Sequence, residues 1–283
     1  MFSRYRPALL AAAAALTAVL AAGCSGTPQA SHTDHAGSGA APAPGQAIEL
    51  AAAHAAVANS VTANITMRGS GSTPLTMSGS LREVVRPNLA AELNFPSLSA
   101  AGQSLPGGMS EIVTGKAAYL RLSGISQLIG GKSWLKVPFS ELDKALGVNF
   151  EQLIQQAQDN SPLVQMQLLA GATGVRVVGT GTIGGIHVTE YSGSYPMAAA
   201  LKRLPAGLRS QVGQQAVKAG ISSVSFNVWL DGQQQVRKLI VVEHGTMEDM
   251  TVTMLVTSIN QPVSIKLPPA ADVATIPQSA LNL

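Results

Sequence analysis

Five histidines, one cysteine and two motif-like strings are where this chain of 283 residues could do chemistry. Gly179, Gly181 and Gly184 spell the glycine fingerprint of dinucleotide-binding turns. That chemistry needs the turn to open a helix whose N-terminal amides hold a pyrophosphate. Here Gly185-Ile186-His187-Val188-Thr189 continues as a strand, and no acidic residue lies between Glu190 and Asp231 to take a ribose. A hairpin turn is expected instead. Ser133 and Lys136 have the spacing of a serine-lysine nucleophile, which must start a helix so that the lysine lies one turn away. Trp134-Leu135-Lys136-Val137-Pro138 reads as a strand, and the companion elements are absent. His32 and His35 flank Asp34 in a solvated stretch, His54 falls in a helix and His187 in a strand. His244 belongs to an acidic turn, Glu243 to Asp249, which is expected to be a plain hairpin. No zinc-protease, nucleophile-elbow or paired metal spacing occurs. No metal, no cofactor and no catalytic residue is expected.

Cys24 is the exception, because what precedes it gives it a chemistry. Arg4 and Arg6 supply a positive start, and Pro7 to Ala22 form an Ala/Leu/Val segment too short to favour a membrane span. Leu20-Ala21-Ala22-Gly23-Cys24 resembles the lipobox of bacterial lipoproteins, with Ala21 where the pattern prefers a larger aliphatic. The resemblance implies that residues 1–23 are a signal peptide and that the Cys24 thiol is acylated. It also implies a location on the extracytoplasmic side of the cell membrane, with the lipid, such as palmitate, as anchor. With its single cysteine spent, the chain has no disulfide and no thiolate nucleophile.

Composition narrows the class further. Setting aside Arg4 and Arg6, which are two of the 18 basic residues, the rest nearly balance the 15 acidic ones, and no block of like charge remains. Neither a nucleic-acid footprint nor a polybasic membrane patch is supported. Two tryptophans, four tyrosines and five phenylalanines leave few platforms for stacking sugars or bases. Residues 24–45 are Ser/Gly/Ala/Pro-rich and read as a flexible tether; a coil of about 20 residues spans roughly 25 Å.

Residues 46–283 read as one domain. An Ala-rich helix is expected to about Ala58, and then period two takes over. Strands are expected at Val61–Met67, Leu75–Arg82, Leu89–Phe95, Ala118–Leu122, Trp134–Val137, Val175–Val178, Ile186–Tyr191, Ser223–Leu230, Val236–Glu243 and Met250–Ser258. The middle is expected to be helical through Phe150, Leu153, Ile154 and Ala157 and again from Leu163 to Ala170. Two short helices follow, near Met197–Leu204 and Leu208–Lys218. About eleven strands with four or five helices and no βαβ rhythm predict an α+β fold with a large antiparallel sheet. Methionines 67, 77, 109, 166, 250 and 254 sit on its apolar faces, where they can either fill gaps or line a deformable cavity.

Several segments together resemble the LppX/LprG family of actinobacterial lipoproteins. They are the lipobox-like start and tether, Val61-Thr62-Ala63-Asn64-Ile65-Thr66-Met67, Gly131 to Val137, His187 to Gly193, Val228 to Gly232 and Pro262 to Val273. The resemblance implies a curved, half-open β-barrel similar to the LolA/LolB carriers, with helices on the concave face. It implies an apolar cavity that binds acylated lipids or glycolipids, including lipoglycans, and carries them across the cell envelope without catalysis. A single chain of about sixteen methylenes costs on the order of 12 kcal/mol to expose to water. A cavity lining would come from Ile65, Met67, Met77, Leu81, Leu93, Phe95, Leu120, Leu122, Phe226, Val228, Leu230, Val252 and Met254. A membrane held through the anchor and an envelope transporter or lipid-accepting protein would be the partners. The alternative is an envelope interaction or sensor lipoprotein whose core is filled.

Overall fold

Alternating side chains build one sheet. The computed structural model describes residues 42–70, 74–86, 88–100, 102–105, 107–122, 125–139, 166, 169–202, 216–217, 220–245 and 249–275. The chain enters through α1 (Pro44–Val57), with proline at its first turn, where a missing N–H costs nothing. Then come β1 (Ser60–Gly69), β2 (Leu75–Val84), β3 (Ala90–Ala100), β4 (Gln103–Leu105), β5 (Met109–Thr114) and β6 (Ala117–Leu122). A short α2 (Ile125–Leu128) leads to β7 (Trp134–Pro138), and a 3-10 turn at Leu169–Gly171 precedes β8 (Thr173–Ile183) and β9 (Ile186–Pro196). The remainder is α3 (Met197–Lys202), β10 (Ser223–Asp231), β11 (Val236–His244), β12 (Asp249–Ile259), a 3-10 turn at Ala270–Asp272 and β13 (Val273–Thr275).

All thirteen strands share one sheet, in the order β13-β7-β6-β5-β3-β2-β1-β12-β11-β10-β9-β8, with β4 on the side of β3. Pairing is antiparallel except for β13, which runs parallel to β7. The sheet does not close: β13 ends it on one side and β8 on the other. The β1–β12 pairing joins the first strand to the last long one and unites the two halves.

The expected strands are all present, most of them longer than the sequence pattern marked. Three strands were not expected. β4 and β13 are only three residues long. β5, Met109-Ser110-Glu111-Ile112-Val113-Thr114, is buried on both faces, so it carries no polar/apolar alternation to read. The Ala-rich helix and the helix at Met197 are present, the latter over the described residues Met197–Lys202. From Leu163 to Ala170 the described residues are helical Met166 and the start of the 3-10 turn, while Ala216 and Val217 are helical in the other stretch. Phe150 to Ala157 lie outside the described residues, as do Cys24 and all but the last four residues of the tether.

One face of the sheet is the core. Val61, Ala63, Ile65 and Met67 of β1 are buried, whereas Asn64 and Arg68 are exposed. On β2 the buried set is Met77, Leu81 and Glu83, and on β10 it is Val224, Phe226, Val228 and Leu230. Ala47, Ile48, Ala51 and Ala55 of α1 belong to the same continuous cluster, which reaches Tyr191 and Tyr195 of β9. The helix lies against β8 and the Leu169–Gly171 turn.

Candidate functional site

The register lines up the apolar residues of the inner, buried face in rows across the sheet. Ile65 opposes Met254, which opposes Leu239, which opposes Val228, which opposes Tyr191. The next row runs from Leu98 through Met77, Met67, Val252 and Val241 to Phe226 and Gly193. A third passes from Leu120 through Glu111, Leu93 and Leu81 to Ala63 and Val256. Of the thirteen positions expected to line a cavity, Ile65, Met67, Met77, Leu81, Leu93, Phe95, Phe226, Val228, Leu230 and Met254 are buried in one cluster. Leu122 and Val252 pack against it half-buried, and Leu120 is half-buried beside them in its row. Four of the six singled-out methionines on strands, Met67, Met77, Met109 and Met254, are buried here, Met166 joins them from outside the sheet, and Met250 packs at the margin.

Two glycines shape this face. β3 carries a bulge at Phe95-Pro96, where the register with β2 shifts between Ser78 and Ser80. A Cβ on Gly79 would stand 2.0 Å from the Asn94 carbonyl oxygen, so only glycine lets β2 approach there. On the other half, a Cβ on Gly193 would meet the Phe226 ring at 2.7 Å. Its absence lets that ring lie flat on β9, stacked with Tyr195 at 6.5 Å between centroids.

Three carboxyl groups share the apolar phase of their strands, and sequence reasoning did not select them. Glu83 follows Leu81 and precedes Val85, all on the buried side, and has no exposed surface. Its neighbours across the sheet are Val61 and Ala91. Neither carboxyl oxygen has a hydrogen-bond partner among the described residues, and burial pushes the group from an ordinary 4.5 up to about 8. Glu111, between Met109 and Val113, faces Leu93 and Leu120; its Oε2 is also unpartnered, and burial raises it to about 7. Glu243, opposite Val224 and Met250, is raised by burial as well. By contrast Glu92, on the outer face, takes Arg82 at 2.9 Å. The signal was available: a Glu in phase with Leu or Met at i±2 must share their burial.

The rejected motifs are plain structure. Gly184 and Gly185, both at positive φ, make a two-residue hairpin turn that pairs Ile183 with Ile186. Ser133 leads into β7, and Lys136 lies 5.9 Å from the Tyr119 ring centroid on the neighbouring strand. His244 and Asp249 close the last hairpin as an opposed pair, 3.3 Å apart. His54 and His187 are exposed on their helix and strand, and His32 and His35 lie outside the described residues. Among the described residues no three His, Cys, Asp or Glu gather as metal ligands, and no helix is long and apolar enough to cross a membrane.

An open antiparallel sheet with one buried apolar face is the class of fold these rows define. Among solved structures the chain is similar to LprF from Mycobacterium bovis, at 14% identity and a TM-score of 0.49, covering 80% of this chain and 96% of that one. It is also similar to the Mycobacterium tuberculosis lipoprotein LppX, at 18% identity and a TM-score of 0.44, covering 78% and 97%. A LolA superfamily protein from Nitrosomonas europaea aligns at 7% identity and a TM-score of 0.30, over 81% and 96%. No family model matches the sequence. A Streptomyces griseus protein, an uncharacterized 31.2 kDa protein in the rplA-rplJ intergenic region, is 26% identical over 148 residues. That match takes 50% of this chain and spans about half, 48%, of the relative's length.

Proposed function

We propose that the protein is an LppX/LprG-like lipoprotein that binds acylated lipids or glycolipids against the inner face of its sheet and helps carry them across the cell envelope. In this reading it is non-catalytic. Residues 1–23 are removed on export, acylated Cys24 anchors the chain on the extracytoplasmic side of the membrane, and 24–45 tether the domain 46–283. The sheet is curved, with helices against its concave side, and an envelope transporter or lipid-accepting protein takes over the cargo.

The observation that carries this reading is the continuity of the apolar face. Aliphatic, methionine and aromatic side chains form one buried cluster that reaches from Leu122 on β6 to Tyr191 on β9, on a sheet that β13 and β8 end among the described residues. Such a surface matches acyl chains in chemistry, and an open sheet can part from what covers it without breaking a closed hydrogen-bond ring. A carrier needs no strong directional contacts, only a surface nearly as favourable to methylenes as the bilayer.

An environment-sensitive fluorescent fatty acid tests it. Adding purified protein should raise and blue-shift the emission, and natural lipids should compete. Val228→Trp, which fills the centre of a row where Val228 has no exposed surface, should weaken probe binding by about tenfold or more. No emission change at any protein concentration would count against the reading.

A further inference from the structure

We infer that Glu83 and Glu111 form a polar subsite within the apolar inner face, and that it takes the hydroxyl groups of a neutral, hydroxyl-bearing acyl lipid. The inference rests on the lipid-binding reading and names the chemistry of its cargo.

Register places the two side chains. Ala91 opposes Glu83 on one side and Val113 on the other, while Leu93 opposes Leu81 and Glu111. The carboxyls therefore sit at diagonal corners around the Ala91–Leu93 stretch of β3. They are two strand spacings apart, roughly 10 Å across the sheet. Both residues are more than nine-tenths buried, at 0% and 8% exposed. Three of their four carboxyl oxygens are buried without a hydrogen-bond partner among the described residues.

Unpartnered buried carboxyls are rare because each forfeits its hydrogen bonds to water, costing about 1–3 kcal/mol. A leucine at either place would pack with its neighbours and avoid that cost. Two such groups on one patch of one face, unpartnered among the described residues, mark a place where a bound molecule can supply the missing partners.

The surroundings select the kind of partner. The strand neighbours of both residues on the inner face are aliphatic or methionine: Val61, Leu81, Val85 and Ala91 for Glu83, and Leu93, Met109, Val113 and Leu120 for Glu111. Among the described residues no cation pairs with either carboxylate. Burial in such a setting favours the neutral acid, as the raised values of both groups agree. A neutral carboxyl presents one O–H donor and one carbonyl acceptor. A hydroxyl, itself donor and acceptor, satisfies both at once. A phosphate would bring uncompensated charge, and an ammonium would demand that the acids ionise. A small polyol carrying an acyl chain has hydroxyls to offer both corners while its chain follows the apolar rows.

Competition against the fluorescent fatty acid tests this with a monoacylglycerol, the methyl ester of the same fatty acid and the long-chain amine of the same length. The purified protein should bind the monoacylglycerol at least about tenfold tighter than the methyl ester. In Glu83→Leu/Glu111→Leu that ratio should fall to within about twofold, and in Glu83→Gln/Glu111→Gln, which keeps donors and acceptors, it should largely return. Thermal unfolding of the leucine variant should occur at or above the parent temperature, showing that it folds. Equal affinity of the parent for monoacylglycerol and methyl ester would overturn the subsite while leaving lipid binding intact. A preference that survives the leucine substitutions, or the tightest binding by the amine, would also overturn it. If none of the three displaces the probe because the probe itself is not bound, the lipid-binding reading falls and the subsite with it.

Discussion

Glu83 and Asp231 are both buried acids on this sheet, and their different surroundings give them opposite consequences. Asp231 accepts the backbone N–H groups of Gln233 and Gln235 at 2.9 Å on one oxygen and the Arg237 Nε at 2.7 Å on the other, fixing the β10–β11 hairpin. Removing it in Asp231→Ala strands those donors and should lower stability by about 1–3 kcal/mol, measurable by urea unfolding. Glu83 has no such partners among the described residues, so its charge opposes folding. Its folded value, about 8, lies above its ordinary 4.5, so the folded state holds the proton more tightly than the unfolded chain does. Its contribution is therefore fully favourable below pH 4.5 and is lost as pH rises through about 8. The loss is on the order of 5 kcal/mol for a fully buried acid. Glu111 adds the same sign over a window that ends near 7. Thermal unfolding should thus occur at lower temperature at pH 8.5 than at pH 5.5, and Glu83→Gln should flatten that slope. A protein whose stability rises across this range would contradict the assignment. The Asp231-Gly232 turn is legible from sequence, since that dipeptide between two alternating runs is a hairpin signal. Glu83 and Glu111 are legible only once their phase with Leu81 and Met109 is counted, and a reading by residue type passes over them.

Strands and turns carry the next level of constraint. The Phe95-Pro96 bulge on β3 is held between two glycines: a Cβ on Gly79 would stand 2.0 Å from the Asn94 oxygen, and one on Gly108, at φ +60°, would stand 2.1 Å from the Phe95 oxygen. Pro96 fits because a bulge spares it the ladder hydrogen bond it cannot donate. Gly79→Ala should therefore push β2 from β3 and cost roughly 3 kcal/mol or more, well beyond an ordinary Gly-to-Ala change in a strand. Gly181→Ala, on the edge strand with open space around it, should be nearly neutral. Denaturant midpoints of the two variants compare them directly. Period two in the sequence revealed the long strands because each has one wet and one dry face. It failed at β5, where Met109 to Val113 are buried on both sides and Glu111 interrupts the apolar run. It failed again at β13, which pairs with β7 from the far end of the chain through only three residues. Propensity was enough for α1, whose alanines let it pack closely.

At the scale of the whole molecule, the sheet is open and lopsided. Its middle strands bury a wide apolar face, while edge strand β8 is mostly exposed, including Val177 and Val178 at about half their surface. Register shifts after Thr173 and Val177 distort β8, which hinders a second chain from adding to that edge. The overall layout was legible because alternation, turn residues and the β-rich order all point to an antiparallel sheet. The pairing of β1 with β12 was not, since a contact spanning nearly 200 residues leaves no local trace. The proposed anchor belongs to this scale too. Cys24→Ala in the native host should move the protein from the membrane pellet to the soluble fraction, and continued sedimentation with membranes would argue against acylation there.

The central claim is that the apolar inner face holds lipid. Native mass spectrometry of the protein purified gently from its own host cells reads this directly. The expected result is a population heavier than the bare chain by the mass of a discrete acylated species, released on activation and carrying free hydroxyls on fragmentation. A single peak at the mass of the protein alone, from preparations that also take up no added acyl probe, would contradict it.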